Sequence, residues 1–124
     1  MSFRDNFTAG VTSNLAVYAV DAATGALSAG PTIAAGSSSR LSIDPLGRFL
    51  YAQGRLNQAP FGWPPVKVQP YAIDSGTGAL AAVGSGHVFS SGYGWAIEPT
   101  GRFAYYRTTG DSVVTDNYLH AFEI

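Results

Sequence analysis

Two histidines, His87 and His120, and two serine clusters, Ser37-Ser38-Ser39 and Ser90-Ser91, are the side chains here with the clearest potential for chemistry. A nucleophilic serine needs a base within hydrogen-bond reach and an acid to orient that base. No histidine lies near the first cluster, and His87 is close to Ser90 in sequence only, so both clusters read as polar linkers. His87 and His120 are too far apart in sequence to form a local ligand pair for a metal. The chain has no cysteine, which removes disulfides, thiolate nucleophiles and Cys-ligated metals. Gly-x-Ser-x-Gly elbows, Walker loops, His-Glu-x-x-His and dinucleotide glycine fingerprints are all missing. The expectation is therefore no metal, no cofactor and no assignable catalytic residue. Whether the protein is an enzyme stays open at this level.

What must position any functional residue is a repeat. Tyr18-Ala-Val-Asp-Ala-Ala-Thr-Gly-Ala-Leu27 returns as Tyr71-Ala-Ile-Asp-Ser-Gly-Thr-Gly-Ala-Leu80, identical at seven of ten positions. Ile43-Asp-Pro-Leu-Gly-Arg-Phe-Leu-Tyr51 returns at nearly the same interval as Ile97-Glu-Pro-Thr-Gly-Arg-Phe-Ala-Tyr105, identical at six of nine. Leu119-His-Ala-Phe-Glu-Ile124 echoes the strand before Asp74, with Phe122 in the place of Tyr71. In the first motif Asp accepts hydrogen bonds from the amides after it and Gly takes a positive φ. In the second, Pro presets φ and Gly supplies the left-handed residue, while the acid and the Arg four positions on are placed for a cross-turn ion pair, which is expected in both copies.

These turns predict four strands per repeat: a (about 40–44), b (about 48–54), c (about 66–73) and d (about 80–88). An all-β fold follows, and the repeat reads as a four-stranded antiparallel β-propeller blade. We read a single domain over 1–124, an incomplete propeller of about three blades: a partial blade 1–35, a full blade 36–88 and a partial blade 89–124. Strand b of the first blade falls at Phe3 to Thr8.

These motifs resemble those of the lactonase-like β-propellers, which include 6-phosphogluconolactonase-type enzymes, and of the related YVTN-repeat propellers. The likeness covers nearly the whole chain and lies in turn and core residues, which support many functions. Enzymes of this type carry an Arg-His pair before strand a and a glutamate after strand b. Here those places hold Ser39-Arg40 and Tyr93-Gly94, and Arg55 and Thr109. The resemblance therefore implies the scaffold and carries no catalytic residue across.

Because strands alternate in direction, the d–a and b–c loops share one end of every blade. The longest and least repetitive segments fall there. Arg40, Arg55, Phe61, Trp63, Tyr93, Trp95 and Arg107 would give that face a cationic and aromatic rim for a small anionic or sugar-like ligand. Net charge is −1 with Lys67 the sole lysine, so no basic stripe exists to neutralise nucleic acid. The start lacks an apolar signal-like segment, and the apolar run at 15–20 is too short to span a bilayer, so the expectation is a soluble protein without membrane partners, with the cytoplasm as favoured compartment. About three blades cannot close a ring, and a homo-oligomer, a dimer first, is expected. The functional reading is a non-catalytic binding or assembly module, and its alternative is a lactonase-like hydrolase acting on a sugar lactone.

Overall fold

The structure, a computed structural model, describes residues 13–36, 40–56, 65–90, 94–108 and 118–124. Among them the chain is all β: ten strands, no helix, and every pairing antiparallel. Strands β1 (Ser13–Val20) and β2 (Leu27–Gly36) form an N-terminal hairpin. A middle sheet contains β3 (Arg40–Ile43), β4 (Phe49–Arg55), β5 (Val66–Ile73), β6 (Leu80–Ala82) and β7 (His87–Phe89). A C-terminal sheet runs in the order β10 (Tyr118–Glu123), β9 (Phe103–Thr108), β8 (Trp95–Ile97). No helix long and apolar enough to cross a membrane occurs among the described residues. The strand b expected at Phe3 to Thr8 and the serine linker 37–39 lie outside them.

Short side chains close the β1–β2 and β5–β6 turns in the same way. The Asp21 carboxylate accepts the amides of Ala23 and Thr24 and the Thr24 hydroxyl at 2.8–3.0 Å. Asp74 does the same with Gly76 and Thr77 at 2.7–3.0 Å. Gly25 and Gly78, both at φ 72°, then donate to the carbonyls of Asp21 and Asp74. The predicted strands a, b and c of the full repeat are β3, β4 and β5.

Strand d differs from its expectation. Instead of one ladder over about 80–88, it is two three-residue pieces that both pair with β5, β6 on Tyr71–Ile73 and β7 on Val66–Val68. The break is physical: Gly84 and Gly86 adopt φ of 60° and 76°, outside extended geometry, so residues 83–86 leave the ladder. A Cβ at Gly86 would meet the Val68 carbonyl oxygen at 2.7 Å, so only glycine lets the chain cross here. The Val83 amide still donates to the Pro70 carbonyl at 2.9 Å. The Gln69 side-chain amide donates to the carbonyls of Val83 and Gly84 at 3.2 and 3.3 Å as well as to that of Pro70 at 3.1 Å, giving the carbonyls of the gap a partner.

Packing follows from the two-residue period of a strand. In β4, Leu50 and Ala52 join Tyr71 of β5 against Leu15, Ile33 and Ala35 of the hairpin. The alternate residues, Phe49 and Tyr51, join Val66, Val68 and Phe89 against Trp95, Ile97, Tyr106 and Phe122 of the C-terminal sheet. The middle sheet is thus buried on both faces, and each fully buried Leu, Val or Ile contributes on the order of 1.5–3 kcal/mol.

Candidate functional site

An acid and an arginine stand at each a–b turn. Asp44 is buried, and its carboxylate accepts the Arg48 amide at 3.2 Å and the guanidinium Nε at 2.8 Å and Nη2 at 3.3 Å. The Arg48 hydrogen bond holds the Asp44 carboxyl below its usual range, against the opposing effect of burial. Arg48 Nη2 also donates to the Gly101 carbonyl at 2.7 Å, joining equivalent turns of successive repeats.

The expected ion pair is absent from the second copy. Among the described residues Arg102 makes none with Glu98, and its guanidinium sits 5.3 Å from the centre of the Phe103 ring. Thr100, which stands where the first copy has Leu46, supplies a hydroxyl that donates to Glu98 Oε1. The amides of Thr100 and Arg102 add bonds of 2.8 and 2.7 Å. With that shell, led by the Thr100 hydroxyl, the Glu98 carboxyl is lowered to about 2. Asp21 and Asp74 are likewise lowered, chiefly by the amide of Thr24 and the hydroxyl of Thr77. Each of these four carboxyls is therefore favoured as the anion by hydrogen bonds from its own turn. A general acid requires the opposite, a carboxyl raised toward the working pH.

A cleft of about 440 Å³ opens between the middle and C-terminal sheets. Its walls are Phe49, Tyr51, Val68, Pro70, Phe89, Trp95 and Phe122, with His87, Ser85 and Glu123 as polar members. The Trp95 ring packs 5.3 Å from Tyr51 and 6.0 Å from Phe122. Its Nε1–H is buried without a hydrogen-bond partner among the described residues. His87 lies 4.6 Å from Phe89 and 5.4 Å from Phe122. His120 contacts the same two rings at 5.9 and 6.4 Å, and its Nε2 lies 3.2 Å from the Thr108 hydroxyl. Both histidines thus belong to one aromatic cluster, and no group of three or more metal-ligating side chains occurs among the described residues. The cleft suits an apolar, ring-shaped occupant better than a charged one.

Of the seven residues expected to form a ligand rim, Trp95 alone lines this cleft among those described. Arg40 pairs with Gln53, and Arg55 with Val66, at the b–c end of the middle sheet; by strand alternation both belong to the face turned toward the C-terminal sheet. Trp95 enters β8 from the same end. Arg107, opposite Leu119 and out of phase with Tyr106, belongs to the far face of the C-terminal sheet. Phe61, Trp63 and Tyr93 lie outside the described residues. His87, Phe89 and Glu123 are cleft residues that sequence reasoning missed. The placement of Phe122 at the Tyr71 position signals the inward face of β10, but His87 and Phe89 belong to β7 and Glu123 is out of phase with Phe122, so none of the three carried a signal of its own.

Fold and site together define an all-β repeat protein whose antiparallel sheets stack face to face. Among solved structures, the fold is similar to that of a "putative 6-phosphogluconolactonase" from Bacteroides uniformis, with a TM-score of 0.59 at 19% identity over 91% of this chain. It is also similar to one of the same description from Bacteroides fragilis, with a TM-score of 0.54 at 20% identity over 88% of the chain. The chain spans about a third of the length of each, 35% and 33% respectively. At these identities the likeness is one of fold. No family model and no curated protein matches the chain.

Proposed function

We propose that this chain is a β-propeller-repeat module for binding and assembly, made of a partial blade 1–35, a full blade 36–88 and a partial blade 89–124. The observation that carries the reading is the use of its acids. Asp21, Asp44, Asp74 and Glu98 accept hydrogen bonds from turn amides, hydroxyls or Arg48, which commits these four carboxylates to the scaffold and favours their anionic form. The places of the enzymes' Arg-His pair and glutamate hold other residues. On this reading Arg40, Arg55 and Trp95, at one end of neighbouring sheets, form the described part of a rim for a small anionic or sugar-like ligand, in which Phe61, Trp63 and Tyr93 also take part. A second reading, hydrolysis of a sugar lactone, rests on the fold likeness to the two Bacteroides structures. A screen of simple sugar lactones separates the two: hydrolysis at the uncatalysed rate is expected. Saturable turnover that disappears in Arg40→Ala would establish the hydrolase instead.

A further inference from the structure

We infer that the outer faces of the N-terminal hairpin and the C-terminal sheet are two halves of one interface, and that the occupant of each is a second copy of this chain. The inference rests on the proposed blade reading and deepens it by naming the assembly. Its basis is a comparison of residues at the same repeat position. Tyr71 is 3% exposed beneath the hairpin, whereas its counterpart Tyr18 is 54% exposed. Val20 and Leu27 are 65% and 66% exposed, while their counterparts Ile73 and Leu80 pack into the hairpin interface. At the other end of the molecule the register of β9 with β10 aligns Leu119 with Val68. Val68 is 3% exposed and Leu119 is 73% exposed.

These exposed positions are complementary as well as apolar. Leu15 occupies the Val68 position in the first repeat, and within the chain it packs against Leu50, Ala52 and Tyr71, with Ile73 and Leu80 at the edge. Leu119 is the third residue at that position. Tyr18, Val20 and Leu27 are the first-repeat versions of Tyr71, Ile73 and Leu80. Leu119 of one copy placed on Tyr18, Val20 and Leu27 of another would thus repeat a contact already made once within the chain. Apolar side chains left exposed at positions that the repeat elsewhere buries mark an interaction site, and the chemistry that fits them is a sheet face of the same repeat, with Arg107 beside Leu119 on the C-terminal half. Because the two halves differ, the contact is head to tail, and two copies related by a twofold axis would satisfy both halves at once.

The test is sedimentation equilibrium and light scattering of the full chain, with far-UV circular dichroism as the control for folding. A species of twice the 13.0 kDa chain mass is expected. Leu119→Arg and Val20→Glu, both at exposed positions, should each keep the β spectrum and weaken association by about 100-fold or more. Mixing the two variants should restore a dimer, since one of its two contacts is native and the other pairs opposite charges. A folded wild type that stays at the mass of a single chain at all concentrations overturns the inference. So does a dimer that neither substitution weakens, or a mixture that gains nothing. Val68→Arg tests the underlying reading separately: it should abolish folding, and a folded Val68→Arg chain would overturn the stacked-blade reading itself.

Discussion

Asp44-Pro45-Leu46-Gly47-Arg48 and Glu98-Pro99-Thr100-Gly101-Arg102 are one turn written twice, and they do different work. In the first, a short acid grips Arg48 from a buried position and the guanidinium reaches across to the carbonyl of Gly101. In the second, a longer acid folds back on Thr100 and the turn amides, and Arg102 keeps the contact with the following ring, Phe103, that Arg48 also makes with Phe49, without the ion pair. One methylene in the acid and a hydroxyl in place of Leu46 redirect the same charges. The glycines diverge too. Gly47 and Gly101 both have positive φ, 71° and 69°, but a Cβ at Gly47 meets open space. At Gly101 it would collide with the Asp44 carboxylate and lie 2.7 Å from Arg48 Nη2. A repeat motif therefore fixes the local turn, while the neighbouring repeat decides what the turn is for.

The largest effect that could break this comparison is at the glycines. Gly101→Val should lose about 3–4 kcal/mol, combining backbone strain with displacement of the Asp44–Arg48 pair. Gly47→Val carries the strain alone, about 1–2 kcal/mol. Urea unfolding at neutral pH reads both, and equal losses would mean that the cross-repeat contact contributes nothing.

Next come the acids. Asp44→Ala should cost about 1–2 kcal/mol, because it removes charge-assisted hydrogen bonds from a buried oxygen while Arg48, partly exposed, recovers much of its solvation. Glu98→Ala, at a more exposed turn, should lower the melting temperature by less. The reverse order would show that the inter-repeat clamp is the weaker of the two.

The smallest effect sharpens the comparison by pH. A carboxyl whose folded value lies below its unfolded value contributes stability above the unfolded value, and that contribution fades as pH falls through the folded one. For Glu98 the window runs from the ordinary 4.5 down to about 2. Asp44 is shifted the same way by Arg48, so both turns weaken in acid. Melting temperatures measured across that window should fall with pH, and Glu98→Gln should shallow the slope. An unchanged slope in Glu98→Gln would show that the Thr100 shell does not favour the anion.

The turns were legible because their determinants are local. Asp21 and Asp74 bond amides two and three residues away, and such contacts are written into adjacent letters of sequence. The strands and their alternation could also be read, since the apolar pattern around Tyr18 and Ile43 returns around Tyr71 and Ile97. What could not be read depends on partners a repeat away. Arg48 finds Gly101 across 53 positions, and the cleft joins Phe49, Trp95 and Phe122 from three strands in two sheets. The break in strand d was hidden for a related reason. Gly84 and Gly86 look like ordinary strand-end glycines until the Val68 carbonyl and Gln69 are seen beneath them.

That break also governs how the rim of the middle sheet meets other polypeptides. A long outer strand offers an unbroken row of amides and carbonyls on which a foreign extended segment can grow, the first step toward a fibril. Here the rim is divided into β6 and β7, three residues each, separated by two left-handed glycines. Gln69 already occupies the carbonyls of Val83 and Gly84 within the gap. An incoming strand that pairs with one piece is thrown out of register before it reaches the other, so the interruption acts as a built-in guard against fibrillar growth from this edge.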